Sequence, residues 1–167
     1  MILFHRCMRF AHALKLSSLS RWFAMKIEEI TLTEVLPLRQ EVLWPSQPLE
    51  FSRVPDDERG LHFGIRIQGD LVCVASVFIQ EGTARLRKFA TKVAYQGQGV
   101  GSAMLRFLIE HLGQQGVEEF WFDARATAVS FYQKFGFAIE GPLFYKHEAP
   151  YYKMTQRLQT DRVRPQN

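Results

Sequence analysis

Tyr95-Gln96-Gly97-Gln98-Gly99-Val100-Gly101-Ser102 places three alternating glycines between two segments of different period. Before it, Ala84–Thr91 has the composition of a strand. After it, Met104, Leu105, Leu108, Ile109 and Leu112 recur at helical spacing, so a helix is expected over Gly99–Gln115. Glycine admits positive φ and lets another group approach the backbone closely. The unbonded N–H groups of a helix start converge on one point, where the helix dipole also favours negative charge. These residues therefore describe a cradle for a diphosphate, or a tight strand-to-helix turn that binds nothing. The turn lacks the Lys-Ser/Thr ending of a nucleotide P-loop. Counted from Gly99, the third glycine of a dinucleotide fingerprint would fall at Met104, so that pattern is not met either.

Upstream, Leu61, Phe63, Ile65 and Ile67 alternate with His62, Gly64 and Arg66, the period of a half-buried strand. Gly69-Asp70 signals a hairpin, Leu71–Ile79 a central strand buried on both faces, and Glu81-Gly82 a second turn. Nearer the N-terminus, Lys26–Leu32 reads as an edge strand and Val35–Leu43 as a short helix with Pro37 in its first turn, stopped at Trp44-Pro45. Pro45–Gly60 is a loop with room for a short helix. Downstream, Glu119–Ala124 reads as a strand. Ala128, Phe131, Tyr132 and Phe135 mark an amphipathic helix ended by Gly136, and Phe137–Glu140 and Tyr151–Leu158 are strands joined by a Gly141–Pro150 loop. The order β-α-βββ-α-β-α-ββ specifies an α/β domain of mixed α+β type.

Composition sets the outer limits. The chain has 167 residues, 47% hydrophobic and 23% charged, which is one soluble globular domain of ordinary size. No run of 18 apolar residues exists, so no membrane partner is expected. Of the net charge of +4, all belongs to residues 1–24, which hold Arg6, Arg9, Lys15 and Arg21 and no acid. Removing those four from the 21 basic residues leaves 17, against 17 acidic ones, so the body gives no reason to expect nucleic acid. Two cysteines, Cys7 and Cys73, form no disulfide framework and suit a reducing, cytoplasmic setting. No spaced set of His, Cys, Asp and Glu suggests a metal. Residues 1–24 read as an N-terminal extension upstream of a start at Met25, with a targeting or membrane-surface helix as the alternative. Residues 25–158 form the domain and 159–167 a polar tail.

Gln96-x-x-Gly99-x-Gly101 after a strand resembles the acetyl-CoA motif of the GNAT acyltransferases. The run from Ala124 to Phe137, with Phe131-Tyr132-Gln133-Lys134-Phe135-Gly136-Phe137, looks like the second motif of that family. The pair covers about residues 84–140, and the element order of 26–158 is similar to the family fold throughout. The resemblance implies a GNAT-like acyl-CoA N-acyltransferase fold: a central, mostly antiparallel sheet splayed at the cofactor site and flanked by helices. It implies acetyl-CoA as co-substrate, with its pyrophosphate on Gln96, Gly97, Gln98, Gly99, Val100, Gly101 and Ser102. Pantetheine would pair with Phe89, Ala90 and Thr91, and Ala128 and Phe131 would line the cofactor. Tyr132 matches the tyrosine that protonates the leaving thiolate, although its place on the apolar face equally suits a packing residue.

Two departures from the family pattern bear on chemistry. Arg125 stands where an asparagine is common, which suggests contact with a cofactor phosphate or an acidic neighbour. The strand Ala84-Arg85-Leu86-Arg87-Lys88-Phe89 carries no carboxylate to act as base, leaving Asp123, His62, His111 and His147 as candidates. Glu34, Trp44 and Glu50 are candidates for shaping the acceptor pocket. Arg85, Arg87, Lys88 and Lys92 signify either a solvated strand face or an acidic acceptor. The expected activity is N-acetylation of a primary amine, small-molecule or peptide, by direct attack. The alternative is a non-catalytic acyl-CoA-binding module of the same fold. A homodimer is compatible with the resemblance and not readable from these residues.

Overall fold

The computed structural model describes residues 25–159, so the expected leader, with Cys7, and residues 160–167 of the tail lie outside the described residues. Seven strands form one sheet in the order β1-β2-β3-β4-β5-β7-β6. They are β1 (Met25–Glu29), β2 (Leu61–Ile67), β3 (Asp70–Gln80), β4 (Thr83–Thr91), β5 (Glu119–Arg125), β6 (Ala138–Lys146) and β7 (Ala149–Arg157). All neighbours are antiparallel except β4 and β5, which run parallel because helix α2 (Val100–Gln114) carries the chain between them. The α2 stripe Met104, Leu105, Leu108 and Leu112 is fully buried on one sheet face against Phe63, Ile65, Phe120 and Phe122. Helix α1 (Leu32–Leu43) covers part of the other face, packing Val35 and Leu38 on Ile30, Val74 and Ala90. No helix of the described residues is long and apolar enough to cross a membrane.

Three local expectations are corrected. β1 stops at Glu29 rather than Leu32, because Thr31 caps a helix that starts earlier than expected. Glu34 Oε2 accepts from the Thr31 backbone N–H at 2.9 Å, half of a capping box. Pro37 consequently lies inside α1 and not in its first turn; it and Thr33, whose carbonyl loses a donor, are both exposed, so water can take the place of that bond. The amphipathic segment after β5 is a 3-10 turn (Ala126–Ala128) and a single α-turn, α3 (Val129–Gln133). It tightens at its end, where Phe135 N–H reaches Tyr132 O at 2.9 Å. Finally, the expected Gly141–Pro150 loop is strand. β6 and β7 form a hairpin whose tip holds His147 at φ 54°, and the register slips between Glu140 and Phe144. That slip accommodates Gly141-Pro142 on an edge strand, where a missing N–H is tolerated.

A buried polar ring ties α1 and the 45–60 loop to the sheet. Arg39 is fully buried and donates to Asp57 Oδ2 at 2.9 Å and Oδ1 at 3.0 Å, and to Ser76 Oγ at 2.6 Å. His62 Nδ1 lies 2.7 Å from Ser76 Oγ and Nε2 lies 2.9 Å from the Asp57 carbonyl. The proton pattern is self-consistent for a neutral imidazole: Nε2–H donates to the carbonyl, and the Ser76 hydroxyl, an acceptor from Arg39, donates to Nδ1. Burial lowers the His62 pKa below its ordinary value. Asp57 also accepts from the Val54 N–H at 2.9 Å, so one carboxylate fixes the loop and neutralises the guanidinium.

Removing one partner of such a pair strands a buried charge. Asp57→Asn should cost about 3–5 kcal/mol in denaturant unfolding; a loss below about 1 kcal/mol would show that the ring does not support the fold. Since His62 is held neutral in the folded chain, the unfolded chain binds the extra proton. Stability should therefore fall as pH drops below about 6.5, and His62→Gln should flatten that slope in a series of unfolding curves.

Candidate active site

β4 and β5 pair over only three positions, Thr83 with Glu119, Ala84 with Phe120 and Arg85 with Trp121, and then part. The opening is a cleft of about 940 Å³ walled by the last halves of both strands, the glycine turn, α3 and the end of α1. On its β3 side the late part of β4 is fully paired. Lys92 N–H donates to Val72 O at 2.9 Å and Ala90 is in register with Val74. Alternation then turns the amides of Phe89 and Thr91 away from β3 and into the opening.

A bulge divides β4 into two halves of opposite facing. Val74 pairs with Ala90 and Ser76 with Arg87, so Ala75 alone faces Lys88 and Phe89. Lys88 takes φ 55°, the left-handed value of a bulge. Before it, Ala84 and Leu86 belong to the α2-side core; after it, Ala90 belongs to the α1-side cluster. The slip brings two consecutive cations, Arg87 and Lys88, to the α1 side. Lys88 Nζ sits 3.6 Å from the centroid of Trp44, at the end of α1, and Arg87 Cζ lies 5.6 Å from that of Phe78. Phe89 and Thr91 turn toward α2, where an added Cβ on Gly101 would stand 3.5 Å from each.

In the glycine turn, Gly97 (φ 69°) and Gly99 (φ 82°) both adopt left-handed backbone. Gly99 is the residue before α2, and Ala103 N–H is the first to bond back, to Gly99 O at 2.9 Å. The amides of Val100, Gly101 and Ser102 are thus the orphan donors of the first turn. No side chain caps this end. Gln96 has a different part: its amide donates to Val93 O at 3.2 Å and its side chain to Thr91 O at 2.9 Å, so it ties the turn to the end of β4. Gln98 Nε2 bonds Ala94 O at 2.6 Å, and the Val100 side chain is buried in the core; neither side chain lines the cleft. A diphosphate fits this turn, because the donors are present, no cap occupies them and nothing lies within 4 Å of a Cβ placed on Gly97.

Gln96, Gly97, Gly99, Gly101 and Ser102 line the cleft, as do Phe89, Ala90 and Thr91. So do Arg125, Ala128, Phe131 and Tyr132. Tyr132 packs its ring 4.4 Å from Phe122 and 5.0 Å from Phe131 by centroid. Burial, with the Cys73 thiol adding to it, pushes its phenol up to about 12. Cys73 itself is pushed up to about 12 by burial and accepts from Thr91 Oγ1 at 3.2 Å. Arg125 Nε donates to the Tyr151 hydroxyl at 3.3 Å.

The base candidates separate clearly. His62 belongs to the buried ring and does not face the cleft. His111 lies 5.3 Å from Phe63 and 5.2 Å from Phe107 by ring centroid on α2, and His147 lies at the β6–β7 tip; neither lines the cleft. Asp123 does, but it accepts from Arg85 at 3.0 Å and from Lys146 at 2.7 Å. Of the acceptor-pocket candidates, Trp44 lines the cleft. Glu34 caps α1 and pairs with Arg66 at 2.7 Å, Glu50 pairs with Arg53 at 2.8 Å, and Lys92 lies 3.9 Å from Glu41. Sequence reasoning misses the Lys88 bulge, Lys146 and Tyr151. A signal for the first exists, since Lys88 interrupts with a charge the even-numbered apolar row of Ala84, Leu86 and Ala90.

Residues 44–158 match the acetyltransferase (GNAT) domain family. The chain belongs to the GNAT acetyltransferase family. An uncharacterized N-acetyltransferase of Bacillus subtilis is 28% identical over 129 residues, covering 72% of this chain and 87% of the relative. The ribosomal protein bS18-alanine N-acetyltransferase of Escherichia coli is 34% identical over 83 residues, covering 48% of this chain and 56% of that enzyme. Its crystal structure superposes with a TM-score of 0.71 at 21% identity, over 86% of this chain and 99% of that one. A GNAT acetyltransferase from Elizabethkingia anophelis with acetyl-CoA bound superposes at TM-score 0.64 and 15% identity, over 81% of this chain and 99% of that one. The splayed sheet and helices of this GNAT domain are thus those of an acyl-CoA N-acyltransferase.

The cradle is tested at Gly99. A β-branched side chain at φ 82° is strained. Gly99→Val should weaken CoA binding on the order of 100-fold by calorimetry, the loss of about 2.7 kcal/mol; unchanged affinity would dismiss the turn as a phosphate site.

Proposed function

We propose that this protein transfers the acetyl group of acetyl-CoA to a primary amine, small-molecule or peptide, in a cytoplasmic setting. The observation that carries the proposal is the continuity of one donor track. The outward amides of Phe89 and Thr91 lead directly to the orphan amides of Val100, Gly101 and Ser102. A β-strand edge suits an amide-bearing pantetheine arm, and a helix start suits the diphosphate at its end. An N–H of the edge would donate to a thioester carbonyl as that oxygen gains charge.

The reaction forms a nitrogen–carbon bond and breaks a carbon–sulfur bond, and a proton passes, in net, from nitrogen to sulfur. Tyr132 is protonated at every physiological pH, so its hydroxyl is a donor to the departing sulfur. Asp123 has its carboxylate committed to Arg85 and Lys146, so the amine arrives neutral or gives its proton to water. The occupied carboxylate is also what a non-catalytic acyl-CoA-binding module would show, and turnover separates the two readings.

Acetyl-CoA at about 100 times its dissociation constant should stabilise the protein by roughly 2.7 kcal/mol. That raises the unfolding midpoint by about 4 °C or more, whereas NAD should leave it unmoved. Tyr132→Phe keeps the ring among Phe122, Phe131 and Phe137. It should lower kcat on the order of 100-fold with CoA affinity unchanged. A variant with full turnover would reduce Tyr132 to packing, and CoA binding with no acetylation of any amine would favour the module.

A further inference from the structure

The acceptor end of the cleft carries an imbalance of charge that the acetyl-transfer reading does not use. On the α1 side, Arg85, Arg87, Lys88 and Lys146 line the opening, and Asp123 is the one carboxylate among the described lining residues. Asp123 is already shared between Arg85 and Lys146. Arg39, behind them, is matched by Asp57. Among the described residues no carboxylate stands at ion-pair distance from Arg87 or Lys88: Asp57 acts on both, and Asp123 on Arg87, only from farther away, and the near partner is the Phe78 ring for one and the Trp44 ring for the other. Burial, then Arg39 and Arg87, brings the Lys88 ammonium down to about 8, and burial, then Arg85, lowers Arg87 as well. A pair of adjacent, half-buried, mutually repelling cations is unfavourable unless an anion joins them.

These cations are not on the cofactor's side of the sheet. The bulge turns Lys88 away from Phe89 and Thr91, which face α2 and Gly101, so Arg87 and Lys88 stand across the notch from the glycine turn. We propose that the acceptor is a primary amine bearing a carboxylate or a phosphate, held by Arg87 and Lys88 with Trp44 as the apolar wall. This rests on the acetyl-transfer reading for the reaction and on the α1-side geometry alone for the anion. Polycationic amines are excluded by the same field, since four basic side chains surround the entry and their one counter-ion is taken.

The test uses matched twins. N-acetyl-L-glutamate and its diamide share a skeleton, as do N-acetyl-phosphoethanolamine and N-acetyl-ethanolamine. Each is titrated by calorimetry into the full chain, alone and with saturating CoA, and the parent amines and spermidine are compared in turnover. The expected result is binding of the anionic twin at least tenfold tighter than the neutral one, a matching preference in kcat/KM, and a several-fold loss of that preference in both Arg87→Gln and Lys88→Met. The carboxylate and phosphate arms show which anion fits. Equal binding of the twins, spermidine as the best acceptor, or a preference untouched by either variant would overturn the proposal. So would a preference that CoA abolishes, because the cations would then hold a cofactor phosphate. Should CoA fail to bind while the anion preference persists, the transferase reading falls and the anion site stands.

Discussion

The parting of β4 from β5 is the constraint on which this molecule is organised. Two parallel neighbours hydrogen-bonded along their whole length would leave a continuous sheet with no passage between its faces. Here pairing ends after Arg85 and Trp121, and the backbone edge beyond is left without a strand partner. Unpaired amides at that depth are costly unless water or a ligand meets them. The fold places the orphan amides of α2 at the end of the same edge. One topological event, a parallel step in an otherwise antiparallel sheet, thus supplies the slot, its donors and its two sides.

The bulge at Lys88 decides what each side of the slot presents. Without the extra residue, Lys88 would continue the inward row of Ala84 and Leu86 into the α2-side core, where an ammonium has no place. With it, Phe89 and Thr91 face the α2 side and Arg87 and Lys88 the α1 side. Trp44 must then be held opposite, and that is the service of the buried ring. Arg39 lies one helical turn before Leu43, and its ties to Asp57 and Ser76 fix α1 against β3, so the tryptophan that follows the helix is fixed too. The ring does not line the cleft, yet the placing of Trp44 in the cleft wall depends on it.

Features written in local chemistry are legible in the sequence. The glycine turn, the α2 stripe and the β2–β4 meander all come from residues adjacent in the chain, and the resemblance carried by Gln96-x-x-Gly99-x-Gly101 and the Phe131–Phe137 run extends to the whole fold. Features made by long-range partners are not. Arg39 and Asp57 look like ordinary surface charges until α1 and the loop fold over Ser76. His62 alternates with apolar neighbours as a strand residue should, but nothing local shows that both its nitrogens are engaged. The β6–β7 hairpin is hidden because Gly141 and Pro142 signal a loop; pairing across an irregular register overrides them.

The electrostatics of the two sides bear on how the sulfur would leave. A phenol at about 12 is a poor source of a whole proton for a thiolate, whose conjugate acid lies near 8.5. A hydrogen bond from the same hydroxyl carries no such penalty, and in a buried site a donor to developing charge is worth more than in water. Under the acetyl-transfer reading Tyr132 would thus act as a hydrogen-bond donor to the sulfur, with the amine nitrogen as the eventual proton source. Under the same reading the cations across the notch would act in the same sense, since negative charge growing on the thioester would be favoured by Arg87 and Lys88 before any anion of the acceptor reached them. An acceptor that brings its own carboxylate or phosphate would neutralise those cations on binding. The stabilisation left would then rest mainly on Tyr132 at the sulfur and on the amides of β4 at the carbonyl oxygen.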